Sequence, residues 1–199
     1  MSVPRTLLQI AGADPRAVPL AESAVVIIDA QQEYVCGRLA LAGIDTALQG
    51  IARLLLAART AGAPVIHVVH RGRPGGLFDP LGKTFQIHPS AAPGPGEKII
   101  EKELPNAFAK TQLHLALLAT ERKSLVLAGF MTHMCVSATA RAALDHGWFA
   151  AVIADATSTR DLPDPLGGAP VPAADVQRAS LAALADRFAV VARVQDLAA

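Results

Sequence analysis

Ala24-Val25-Val26-Ile27-Ile28-Asp29 is a run of five apolar residues closed by a carboxylate. Downstream, Ile44, Leu48, Ile51, Leu55 and Ala58 recur at helical spacing until Gly62 supplies a stop. A short strand followed by a crossover helix is the unit of a parallel sheet, and the alternation continues along the chain. Strands are predicted over residues 24–29, 64–70, 98–101, 124–130, 150–155 and 189–194, and helices over 44–61, 107–120, 132–146 and 172–186. Strands this uniformly apolar are buried on both faces, so the pattern predicts a parallel sheet covered by helices on each side.

The bulk composition narrows the function. The chain has 199 residues, enough for one domain with its own core, and 52% of them are hydrophobic. Eighteen basic against seventeen acidic residues give a net charge of +1 with no basic stripe, which argues against nucleic acid as a partner. Arg53, Arg59 and the break at Gly62-Ala63-Pro64 divide the most apolar stretch, so no membrane span is expected. Arg5 and the apolar residues after it imitate a secretory signal, but Gln9 and Asp14 cut the core short. Two cysteines, Cys36 and Cys135, make no disulfide framework, so a reducing, cytoplasmic compartment is expected. The Gly/Pro-rich connections over 72–96 and 160–171 are long enough to be lids, binding loops or subunit contacts.

Three residues carry the chemistry. Asp29 ends the first strand, Lys102 follows Ile99-Ile100-Glu101, and Cys135 lies just beyond Leu125-Val126-Leu127-Ala128-Gly129-Phe130. Singly they read as a turn aspartate, a solvated lysine and a packing cysteine. Together they fall on the carboxyl edge of one sheet, where open α/β sheets bind ligands. A helix start and a nearby ammonium would favour the thiolate of Cys135 and make it the reactive cysteine. A carboxylate could take the thiol proton and return it to a leaving group.

Val25 to Gln31, Asn106-Ala107-Phe108 with Thr111 and Leu113, and Gly129-Phe130-Met131-Thr132-His133-Met134-Cys135-Val136 occur in an order that resembles the isochorismatase-like cysteine hydrolases. Asp155-Ala156 agrees with them. The resemblance implies a three-layer α/β/α sandwich around a six-stranded parallel, Rossmann-like sheet. It also implies a covalent mechanism with Asp29 as general base and acid, Cys135 as nucleophile and Lys102 as supporting cation. A cis peptide between Phe130 and Met131, and an oxyanion site formed by the N–H groups of Met131 and Cys135, belong to the same inference, as does assembly into a homodimer or homotetramer.

Departures from the family pattern shape the expected activity. Nicotinamidase-like members hold a metal with an Asp-x-His pair after the catalytic aspartate. Here the segment reads Gln32-Glu33-Tyr34-Val35-Cys36-Gly37-Arg38, so no metal and no cofactor is expected. His67 and His70, three apart on a strand, should face opposite ways. Retention of Cys135 favours cleavage of an amide or ureide C–N bond in a small molecule. Vinyl-ether hydrolysis of the isochorismatase type is the alternative, followed by a non-catalytic ligand-binding role. Tyr34, His70, Phe78, Phe85 and His133 are the candidates to line the substrate pocket, although the aromatic residues read equally well as packing.

Overall fold

The computed structural model describes residues 3–13 and 16–197; Asp14 lies outside them. Six parallel strands form one sheet: β1 (Ser23–Ile28), β2 (Val65–His70), β3 (Lys98–Lys102), β4 (Ser124–Phe130), β5 (Phe149–Ser158) and β6 (Val190–Ala192). Their spatial order is β3-β2-β1-β4-β5-β6. The chain therefore winds outward from β1 in one direction, returns, and winds outward from β4 in the other. Adjacent strands whose connections leave in opposite directions open a crevice at their carboxyl ends.

Alternation along β1 separates two cores. Val25 and Ile27 pack with Ile51, Leu54 and Leu55 of α2 (Ile44–Thr60). Ala24, Val26 and Ile28 pack on the other face with α3 (Leu113–Leu118), α4 (Ser137–Asp145) and α5 (Ala173–Arg187) through Leu113, Leu117, Ala140, Ala143 and Leu184. The result is the expected α/β/α sandwich. Each fully buried Leu or Ile contributes about 1.5–3 kcal/mol, so the helices are held mainly by these faces rather than by intrinsic propensity. Gly50 lets α2 approach the sheet, since a Cβ there would lie 1.9 Å from the Asp155 carbonyl oxygen.

The differences from the sequence pattern have local causes. The helix expected over 107–120 shrinks to α3, because Lys110 takes φ 57° and side chains capture the preceding backbone. Thr111 Oγ1 donates to the Ala107 carbonyl, Asn106 Oδ1 accepts from Phe108 N–H, and Thr139 Oγ1 accepts from Ala107 N–H. The helix expected over 132–146 divides into a π-helical turn, Thr132–Val136, and α4. β5 extends three residues beyond its expected end after a register shift between Leu127 and Gly129 of β4. Near the N-terminus, Thr6 and Gln9 form a capping box on a short helix, α1 (Leu7–Ile10). The Leu7 N–H donates to Asp186 Oδ1 of α5.

The long connection over 72–96 lies across the end of β1. Gln32 N–H donates to the Gln86 carbonyl, and His88 N–H to that of Ala30. Its far end is fixed by Glu97, which accepts from Arg59 Nε at 2.8 Å, Arg59 Nη2 at 2.9 Å and Gly94 N–H at 2.7 Å, and meets His67 Nε2 at 2.8 Å. These contacts outweigh the cost of partly burying the Glu97 carboxylate and hold its pKa at about 2.

Candidate active site

Asp29, Lys102 and Cys135 come together at the carboxyl edge of the sheet. Asp29 leaves β1 with φ 51°, an uncommon conformation for a residue with a side chain and one that recurs at functional sites. Lys102 is the last residue of β3, and its Nζ lies 2.7 Å from Asp29 Oδ2 with both side chains wholly buried. The same nitrogen donates to Cys135 Sγ at 3.3 Å. Cys135 is carried by the turn after β4, whose tight approach to β1 depends on Gly129: this residue takes φ 118°, and a Cβ would lie 1.9 Å from the Ile28 carbonyl oxygen. The Phe130–Met131 peptide is cis.

Burial dominates the electrostatics. It raises the Asp29 pKa, against the opposing pull of the Lys102 charge and of hydrogen bonds from Lys102 and the thiol. No backbone N–H reaches either carboxylate oxygen among the described residues, so the group keeps a high proton affinity. Burial first, and then the negative charge of Asp29, push the Cys135 thiol up to about 12, although Lys102 pulls the other way. The lowered thiol pKa expected from the sequence is thus overturned. Cys135 is 4% exposed and sits within the turn rather than at its free N–H end, so dehydration and a carboxylate outweigh one ammonium. The resting group is a thiol. Cys36, by contrast, is exposed.

The other predicted residues distribute unevenly. His70 Nδ1 lies 3.0 Å from Lys102 Nζ, whereas His67 faces Glu97, so the two histidines do point to opposite sides of β2. Tyr34 and Phe78 are 2% and 6% exposed and stack edge to face at 5.2 Å, with Tyr34 also against Phe130 at 5.7 Å. Burial, and then the negative charge of Asp29, raise the Tyr34 pKa, which puts the phenol beside the cluster. Phe85 meets the site through its carbonyl, which accepts from Gln31 Nε2 at 2.8 Å. His133 Nδ1 lies 2.5 Å from Thr159 Oγ1, and its Nε2 is buried with no hydrogen-bond partner among the described residues.

Asp29, His70 and Cys135 each offer a ligand atom, and these lie within 4.8 Å of one another, a spacing that suits a divalent cation. The Lys102 ammonium already fills the role of cation among them. Gln31 is a positioning residue that the sequence pattern left without a role. Its amide brackets the end of β2, with Oε1 accepting from His70 N–H at 2.7 Å and Nε2 donating to the His70 carbonyl at 3.1 Å. Its fixed place two residues after Asp29 was the available signal.

An acid, an ammonium and a thiol brought together at the switch point of a parallel sheet define an α/β protein equipped for hydrolytic chemistry. The isochorismatase domain model matches residues 23–196. The chain belongs to the isochorismatase family of hydrolases. It is 37% identical over 187 residues to the secreted isochorismatase effector Isc1 of Verticillium dahliae, covering 94% of this chain and 95% of that one. A ureidoacrylate amidohydrolase of Stutzerimonas stutzeri is 29% identical over 180 residues, covering 72% of this chain and 73% of its own. The crystal structure of an isochorismatase from Pseudomonas putida KT2440 superposes with a TM-score of 0.93 at 44% identity, covering 98% of this chain and all of that one. No helix among the described residues is long and apolar enough to cross a membrane.

Proposed function

We propose that the protein hydrolyses an amide or ureide C–N bond of a small molecule through a Cys135 thioester. The observation that carries this reading is the Lys102 ammonium lying within 3.3 Å of both a buried carboxylate and a buried thiol. As Sγ attacks the carbonyl carbon, Asp29 takes the thiol proton, and no isolated thiolate has to form in a site where burial disfavours it. The developing oxyanion is received by the N–H groups of Met131 and Cys135; the Met131 N–H donates to no acceptor among the described residues. Collapse breaks the C–N bond, and Asp29 returns its proton to the departing nitrogen. Water then attacks the thioester as Asp29 accepts its proton; the C–S bond breaks, Asp29 returns that proton to the departing sulfur, and the carboxylic acid leaves with the thiol regenerated. Lys102 keeps the alternating charges of Asp29 and sulfur balanced throughout.

The ureidoacrylate amidohydrolase supports the C–N assignment, and the Isc1 effector favours a second reading. In that reading Asp29, its proton affinity raised by burial, protonates an enol ether and Cys135 takes no covalent part. A panel of small amides, ureides and isochorismate, with acid-quenched intact-mass analysis during turnover, separates the two. An acyl mass on Cys135 is expected. Turnover of isochorismate alone, with no adduct, would select the ether reading.

Pocket walls formed in part by His70 and His133, a reducing compartment suited to two unpaired thiols, and a homodimer or homotetramer complete the proposal. Ile99, on the edge strand β3, and Leu115, on α3, line one groove and are 54% and 62% exposed. Light scattering at micromolar concentration is expected to give a multiple of the chain mass.

A further inference from the structure

β2 lies between β3 and β1 in the sheet. Neighbouring strands are about 4.8 Å apart, so β3 and β1 are separated by roughly twice that. Lys102 must therefore carry its ammonium over the end of β2 to reach Asp29 and Cys135. The residue at that end is His70, which is also the register partner of Lys102. Its Nδ1 is 3.0 Å from Nζ, so among the described residues the ammonium has three polar neighbours: Asp29 Oδ2 at 2.7 Å, His70 Nδ1 at 3.0 Å and Cys135 Sγ at 3.3 Å. An ammonium has three hydrogens to donate and no lone pair, so this set saturates it.

We propose that His70 is a positioning residue, whose Nδ1 accepts the third hydrogen of the Lys102 ammonium and holds that cation between Asp29 and Cys135. Because Lys102 can only donate, the ring hydrogen of neutral His70 resides on Nε2. The ring is held for this task. Gln31 clamps both backbone polar groups of His70, and Phe78 packs on its ring at 5.0 Å, itself propped by Tyr34. Burial, and then the Lys102 charge, lower the His70 pKa to about 4, so the ring remains an acceptor at neutral pH. Without this acceptor the ammonium would lean toward the carboxylate, and the sulfur would lose its share of the positive charge. The inference rests on the acid–ammonium–thiol reading proposed above.

The test uses iodoacetamide and so needs no substrate. In a Cys36→Ser background, Cys135 alkylation at pH 8 is followed by mass spectrometry in the parent, His70→Leu, His70→Asn and Lys102→Met proteins. Asn can place an amide oxygen near the position of Nδ1, whereas Leu offers similar bulk and no acceptor. His70→Leu is expected to slow alkylation at least about tenfold, and His70→Asn to stay within about threefold of the parent. Equal rates in Leu and Asn, whether fast or slow, would overturn the positioning role. An unchanged rate in Lys102→Met would instead overturn the underlying reading of the cluster. Ring ¹⁵N spectra give a second readout that a merely structural histidine would not fix: Nε2 protonated and Nδ1 a bare acceptor is the expected result, and an Nδ1–H tautomer contradicts it.

Discussion

Lys102 Nζ lies 2.7 Å from Asp29 Oδ2, and both side chains are wholly excluded from solvent. Removing one partner of such a pair strands the other charge in a medium that cannot solvate it, at a cost of about 3–5 kcal/mol. Lys102→Met is expected to lose stability on that scale in urea unfolding, along with turnover. Asp29→Asn combined with Lys102→Met should be more stable than the two single effects summed, because it leaves no lone charge. Simple additivity would show that the pair is not coupled in solution.

Burial lowers the pKa values of His67 and His70, the latter to about 4. A histidine depressed in the folded state leaves stability unchanged above its unfolded value near 6.5. Below that, the unfolded chain binds protons that the folded one refuses, and stability falls; His70's share stops growing near pH 4. The melting temperature is therefore expected to decline from pH 7 to pH 4.5, less steeply in His70→Asn. An equal slope in the variant would contradict the assignment of part of this loss to His70.

Gly129 links the fold to the site. Its φ is 118°, and a Cβ there would sit 1.9 Å from the Ile28 carbonyl oxygen, so Gly129→Ala would push β4 away from β1 just before the cysteine turn. A loss on the order of 3 kcal/mol or more is expected in chemical denaturation. A variant as stable as the parent would mean that the two strands separate readily at this point.

Short apolar runs and helical spacing carried the sheet, its helices and the places of Asp29, Lys102 and Cys135, because strand ends follow from where apolar runs stop. The shortened α3 was not legible, since Thr111, Asn106 and Thr139 act through hydrogen bonds that hydrophobic spacing does not encode. The thiol pKa was misread for a related reason. Sequence placed a cation near Cys135, but the extent of dehydration and the negative charge of Asp29 beside the sulfur emerge only from packing. The contact between His70 and Lys102 depends on strand order, which local pattern leaves open.

A thiol held near pKa 12 and a carboxyl raised by burial define the pH response. The proposed base must be ionised, so kcat/KM is expected to fall on the acid side through a value above the ordinary carboxylate pKa near 3.9. Ionisation of Cys135 would lie beyond the working alkaline range and leave no limb there. A rise in rate tracking a thiol of pKa near 7 would contradict the resting-thiol state.

The most direct measurement is the turnover of Cys135→Ala on the best substrate of the amide and ureide panel, with folding checked by circular dichroism. Sγ makes the only proposed covalent bond to substrate, so a fall of at least about 10³-fold with the fold intact is predicted. Near-parental activity in Cys135→Ala would contradict the thioester route and leave Asp29 acting without a nucleophile.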